Sequence, residues 1–159
     1  MTTLFEERLP KMDELMKIIG YKFKDKKLLR KALLAKDCAV IDLGWKGINQ
    51  NSLEKVGNAL IGFLAMEKGY LNDLVENKDM KAFKKKYTDN DELVVIVKNM
   101  KLDDYVFWSK NQFTEDQWLD SKELFVDSFE AIIGAIYFDR GLKKARKIFW
   151  NLIEKFSEE

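Results

Sequence analysis

Two acids set three residues apart carry the first chemical signal. In Ser121-Lys-Glu-Leu-Phe-Val-Asp-Ser-Phe-Glu-Ala-Ile-Ile-Gly-Ala-Ile-Tyr-Phe-Asp139, Asp127 and Glu130 interrupt an otherwise apolar stretch. At about 100° per residue, Leu124, Phe125, Val126, Phe129, Ile132, Ile133, Ile136, Tyr137 and Phe138 cover almost the whole circumference, which predicts a central, buried helix. Asp127 and Glu130 then share one face, and Gly134, one turn further on, lets another backbone approach it. Buried carboxylates cost several kcal/mol each unless something neutralises them. A lysine or arginine, protonation of Glu130, or a cation shared between the acids would each do so.

A second oxygen-rich edge lies in Asn51-Ser-Leu-Glu-Lys-Val-Gly-Asn-Ala-Leu-Ile-Gly62. Here Leu53, Val56, Leu60, Ile61 and Leu64 form the apolar stripe of a helix, with Asn51, Glu54 and Asn58 together on its margin. Taken alone, Asn51-x-x-Glu54 reads as a capping box that satisfies first-turn amides. If this helix faces the first, Glu54 completes a cluster of three carboxylates with Asn58 as a neutral fourth oxygen donor, a set that suits partly hydrated Mg²⁺.

The elements that must hold these residues read as helices nearly throughout. The chain has 159 residues, 47% hydrophobic, with one Pro and eight Gly, which fits one domain with one core and excludes disorder. Helical patterns fall at Leu9–Ile19, Lys26–Ala35, Ser52–Lys68, Leu71–Lys85, Asp91–Asn99, Ser121–Arg140 and Leu142–Phe156, with Gly20, Gly69 and Gly141 as stops. Cys38–Gln50 and Phe107–Trp118 read as loops, so the fold class is all-α. Leu124 to Phe138 is shorter than a membrane span of about 20 residues and carries two acids, so a transmembrane reading fails.

Composition narrows the chemistry further. The absence of histidine excludes Ser-His and Cys-His nucleophile pairs, His-bound zinc and imidazole acid/base work. The single Cys38 excludes an internal disulfide, suits a reducing cytoplasmic or nuclear setting, and reads as a buried small residue. Ser52 and Ser128 have no base to activate them. The formal net charge is +1, but basic residues concentrate in Lys22–Lys36 and Lys78–Lys86 and acids in Asp103–Glu130. Solvated helix faces explain such runs, and so would basic flanks for a phosphate backbone around an acidic centre. Trp45, Trp108, Trp118 and Trp150 with Phe107 and Phe113 fit core or dimer packing better than base stacking.

The two motifs together resemble the ribonuclease III family. Leu53-Glu-Lys-Val-Gly-Asn-Ala-Leu60 resembles its signature Leu-Glu-Phe-Leu-Gly-Asp-Ala-Leu, and Asp127-Ser-Phe-Glu-Ala-Ile-Ile-Gly-Ala-Ile-Tyr-Phe-Asp139 resembles its second hallmark, Asp-x-x-Glu-Ala-Leu-Ile-Gly-Ala-Ile-Tyr-x-Asp. Weaker similarity covers Gly20-Tyr-Lys-Phe23, Asn90-Asp-Glu-Leu93 and Leu102-Asp-Asp-Tyr105. The resemblance implies an all-α nuclease domain that dimerises, as a homodimer or with a related subunit, and lays double-stranded RNA across a valley with Mg²⁺ sites, Mn²⁺ substituting.

The family's four metal-binding carboxylates fall on Glu54, Asn58, Asp127 and Glu130, and a further family Glu falls on Asn51. Its Thr-His-Arg-Ser element reads Leu34-Ala-Lys-Asp37, leaving only the basic Lys36. Lys36 and the Lys84-Lys85-Lys86 run are the candidate phosphate contacts. The chain ends at Glu159 without the double-stranded-RNA-binding domain that commonly follows, so one domain over 1–159 is expected. Asn58 removes a full charge from the cluster. The expectation is a nuclease with weakened metal binding and impaired hydrolysis, or a non-catalytic relative acting as an RNA-binding or dimerisation subunit.

Overall fold

The computed structural model describes residues 4–35, 50–107 and 122–157, with side chains from Lys11 onward. Among these residues the structure is all-α. The helices are α1 (Leu4–Ile19), α2 (Lys26–Ala32), α3 (Asn51–Leu71), α4 (Asn77–Thr88), α5 (Asn90–Asn99), α6 (Lys122–Arg140) and α7 (Leu142–Phe156), with a 3-10 turn at Leu102–Asp104. None is long and apolar enough to cross a membrane. Expected loop residues Cys38, Trp45, Phe113, Trp108 and Trp118 lie outside the described residues.

Local chemistry sets several helix ends. The Asp25 side chain accepts from the Lys27 amide at 3.0 Å to open α2, and that of Asp89 accepts from the Asp91 amide at 2.8 Å to open α5. Gly20 (φ +77°) and Gly141 (φ +88°) close α1 and α6 in the left-handed region, as expected. Gly69 does not stop α3. The helix runs on to Leu71, Asp73 (φ 64°) takes the left-handed turn, and α4 starts at Asn77 rather than Leu71. Gly69 serves packing instead: a Cβ there would lie 3.0 Å from Met80 Sδ and 3.3 Å from Phe83 of α4. Helix α2 also ends earlier than its pattern suggests. Leu33 leaves it to accept from the Phe107 amide at 2.8 Å, and the Ala35 amide donates to Phe107 at 3.1 Å, around a parallel bridge between Leu34 and Phe107.

Helix α6 is the axis of the core and packs against α2, α3, α5 and α7. Phe125, Val126 and the run from Ser128 to Ile136 are buried, as an apolar circumference demands. The last turn departs from that expectation: Tyr137 and Phe138 are exposed. Helix α7 returns along α6 through Ala145, Ile148, Phe149 and Leu152, one face at helical spacing. Trp150 is a packing residue, edge-on to Tyr87 (5.0 Å between ring centres) and Phe149 (4.8 Å), with the Lys68 ammonium 4.1 Å above it. Arg146 of α7 forks onto Glu67 of α3 at 2.7 and 3.0 Å, which fixes the register of those helices.

The tightest contact is between α3 and α6. A Cβ on Gly57 would fall 1.7 Å from the Glu130 carbonyl oxygen, and one on Gly134 would fall 2.4 Å from that of Leu53. Both obstacles are backbone, so only separation of the helices would make room. Gly57→Ala and Gly134→Ala should each lower stability by about 3 kcal/mol in urea unfolding. Gly62→Ala, whose Cβ would meet only the flexible end of Lys84 at 3.3 Å, should be neutral or stabilising through helix propensity.

Candidate metal centre

The glycine contact brings the two oxygen-bearing edges together. Ligand oxygens of Glu54 on α3 and of Asp127 and Glu130 on α6 all lie within 4.8 Å of one another, an arrangement able to hold a metal ion. Glu54 (6% exposed) and Glu130 (3%) are buried and Asp127 is half-buried. Helix α3 does not start in the register of the expected capping box. The N-cap of α3 is Gln50, whose side chain makes no cap hydrogen bond, and Asn51 is the first helical residue, exposed on the first turn. Asn58 reaches the cluster from the solvent side and hydrogen-bonds the Glu130 carboxyl.

The donor set fits a hard divalent cation. Oxygens Oε2 of Glu54 and of Glu130 are buried with no hydrogen-bond partner, although hydrogen bonding is the usual condition for burying such atoms. Glu54 Oε2 has an ion-pair neighbour, Lys55 Nζ at 3.5 Å. Three converging carboxylates, two of them with an unfilled acceptor, suit Mg²⁺, Mn²⁺ or Ca²⁺ better than a softer, nitrogen- or sulfur-seeking ion.

Several neighbours of the cluster escaped the sequence reading. Gln50 is fully buried, and the Ser128 hydroxyl, between Asp127 and Glu130 in sequence, donates to its Oε1 at 2.9 Å. Nothing in the local pattern marks Gln50, because its burial is imposed by a helix 78 residues away. Lys55 was visible as a lysine where the family signature has Phe, but its contact with Glu54 was not. Asp139, the last residue of the second motif, stands apart from the cluster. It accepts from the Tyr21 hydroxyl and from the amides of Lys24 (2.8 Å) and Asp25 (2.9 Å), latching the α1–α2 connection to the end of α6. Burial works to raise the Asp139 pKa, but these donors outweigh it and hold the carboxyl below its ordinary value.

The candidate phosphate contacts separate in space. Lys84 lies over Gly62 and shares with Asn58, Phe63, Met66 and Thr88 an open hollow of about 570 Å³. Lys86 turns the other way, its ammonium 5.4 Å from the Tyr87 ring, and Lys85 is exposed on α4. Lys36 lies outside the described residues.

Comparison with known proteins agrees with this geometry. The family described as Ribonuclease-III-like matches residues 25–156. Curated relatives named Ribonuclease 3 from Nitratiruptor sp. and Francisella philomiragia are 26% and 31% identical over 148 and 145 residues, 92% and 90% of this chain. The chain spans only 62% and 58% of the length of those two relatives. The crystal structure of the nuclease domain of ribonuclease III from Campylobacter jejuni superposes with a TM-score of 0.80 at 26% identity, covering 92% of this chain and 96% of that one.

The cluster leaves a pH signature. Burial, chiefly, pushes the Glu130 pKa up to about 7; the Asn58 hydrogen bond opposes this, and the charges of Glu54 and Asp127 reinforce it. Below its ordinary value near 4.5 the carboxyl is protonated whether the chain is folded or unfolded. Between there and about 7 the unfolded chain releases the proton while the folded one keeps it, so metal-free stability falls as pH rises through that window, by a few kcal/mol. Urea unfolding in chelator at pH 5 and pH 8 should show a smaller loss for Glu130→Gln than for the parent chain.

Proposed function

Because the chain belongs to the Ribonuclease-III-like family, we propose that it is a divalent-metal nuclease domain directed at double-stranded RNA, with hydrolysis impaired at Asn58. Glu54, Asp127 and Glu130 are the metal ligands in this reading, Mg²⁺ the natural ion and Mn²⁺ its substitute. The observation that carries it is the convergence of three acids from two helices with two buried acceptor oxygens left unfilled. A bound divalent ion would supply Lewis-acid polarisation of the phosphodiester and charge for the departing 3′ oxygen.

The chain's own residues set how well that ion is held. Glu54 and Glu130 present their oxygens from rigid, buried positions, and the glycine contact keeps the spacing between α3 and α6 short. Asp127 is half-buried, so of the three acids it is the most accessible to an arriving ion. Asn58 occupies the position of a fourth family acid, offering one neutral oxygen and donating to Glu130. It therefore eases the repulsion among the acids in the absence of metal, and for the same reason contributes less attraction when metal is present. Lys84 shares its hollow with Asn58, which supports it as a phosphate contact in this reading, with Lys85, Lys86 and Lys36 as further candidates.

Dimerisation belongs to the same proposal. The related Campylobacter jejuni nuclease domain is described as having a region involved in dimer formation, and two copies of this chain, or one with a related subunit, would give a duplex two cutting sites. The neutral residues Asn51 and Asn58 at positions where the family has acids favour a second reading, a non-catalytic duplex-binding or dimerisation subunit.

One substitution separates the two. Asn58→Asp should bind Mn²⁺ more tightly and cleave an end-labelled RNA duplex at least about tenfold faster than the parent, a gain of about 1.4 kcal/mol at the barrier. Absence of cleavage by Asn58→Asp in both Mg²⁺ and Mn²⁺ sinks the impaired-nuclease reading; salt-dependent duplex binding without turnover would then mark the binding subunit.

A further inference from the structure

Lys55 follows Glu54 directly on α3, and its side chain is 70% exposed, yet its ammonium lies 3.5 Å from Glu54 Oε2. Helix neighbours at i and i+1 diverge by about 100° and do not face one another, so this contact requires the lysine stem to fold back along the helix. The summed field of Glu54, Asp127 and Glu130, whose oxygens crowd within 4.8 Å, supplies the attraction. The ammonium balances charge without filling the site. Glu54 Oε2 and Glu130 Oε2 still lack a hydrogen-bond donor, so the coordinating lone pairs remain available. The Lys55 charge also reaches Glu130, where it favours the ionised carboxylate.

Resting on the metal-ligand reading above, we propose that Lys55 is a built-in counter-cation that competes with the divalent ion for the carboxylate cluster and so sets the concentration at which the site fills. Once all three acids are ionised, one ammonium beside them leaves a formal charge of −2 for an incoming ion to meet, instead of −3. The long, exposed stem lets the ammonium swing into solvent when the ion arrives, so Lys55 raises the threshold without closing the site. Lys55 is thus a positioning residue for charge, acting through Glu54 rather than on substrate.

The test is calorimetric titration of Mn²⁺ into the metal-stripped intact chain and into Lys55→Met, Lys55→Arg and Asn58→Asp. Lys55→Met keeps the length of the stem and removes its charge, and should bind Mn²⁺ roughly tenfold more tightly, while Lys55→Arg should match the parent. A second readout needs no catalysis: in chelator Lys55→Met should melt below the parent, and the rise in melting temperature from chelator to saturating Mn²⁺ should be larger for Lys55→Met than for the parent, whereas loss of a merely structural contact would leave that rise unchanged. If Asn58→Asp gains affinity but Lys55→Met binds as weakly as the parent or more weakly, the counter-cation role is overturned and the metal site stands. If no variant binds Mn²⁺, both fall together.

Discussion

Helices α3 and α6 touch backbone to backbone, and the rest of the molecule is arranged around that contact. The two glycines that permit it are reciprocal. Gly57 faces the carbonyl of Glu130, and Gly134 faces that of Leu53, the neighbour of Glu54. The groups pressed together at the closest approach are thus the acids themselves or residues adjoining them. Any side chain at either glycine would push the helices apart, and with them the oxygens that now lie within 4.8 Å. The apolar cover from α2, α5 and α7 then fixes α6 in place from its other sides, so the cluster is held by the core rather than by loops.

Such a cluster works against the stability of the fold that holds it. Acids in a dry seam repel one another and lose their hydration, and the chain relieves this in three ways. Glu130 keeps its proton up to about pH 7, Asn58 offers a neutral donor, and Lys55 folds back onto Glu54. Each device lowers the negative charge, and each lowers the attraction for a cation by the same amount. In the proposed reading, reduced metal affinity and a tolerable metal-free state would be two consequences of one electrostatic balance.

The anchors away from the cluster show a different logic. Asp139 is another acid of the same helix, yet it gathers a tyrosine hydroxyl and two backbone amides and needs no cation. Its surroundings contain donors, whereas the Glu54–Glu130 seam contains almost none. The contrast between two carboxylates nine residues apart on α6 separates a structural latch from a candidate metal ligand more clearly than their sequence context does.

Much of this was legible in the sequence because it depends on short-range periodicity. The apolar circumference of α6, the i, i+3 spacing of Asp127 and Glu130, the stops at Gly20 and Gly141 and the lack of histidine are properties of neighbouring residues, and they settle the all-α class and mark carboxylates as the candidate ligands. What depends on long-range packing was not. Whether Glu54 capped its helix or joined a cluster was open locally, since Asn51-x-x-Glu54 suits both, and the approach of α6 decided it by burying Glu54. Gly69 looked like a helix stop but serves the packing of α4; Tyr137 and Phe138 continue an apolar pattern but are exposed, because no other element of the described fold buries them. Gln50 and the folded-back Lys55 have no local signal at all, because burial and electrostatic field at a residue are summed over elements that meet only when the chain is folded.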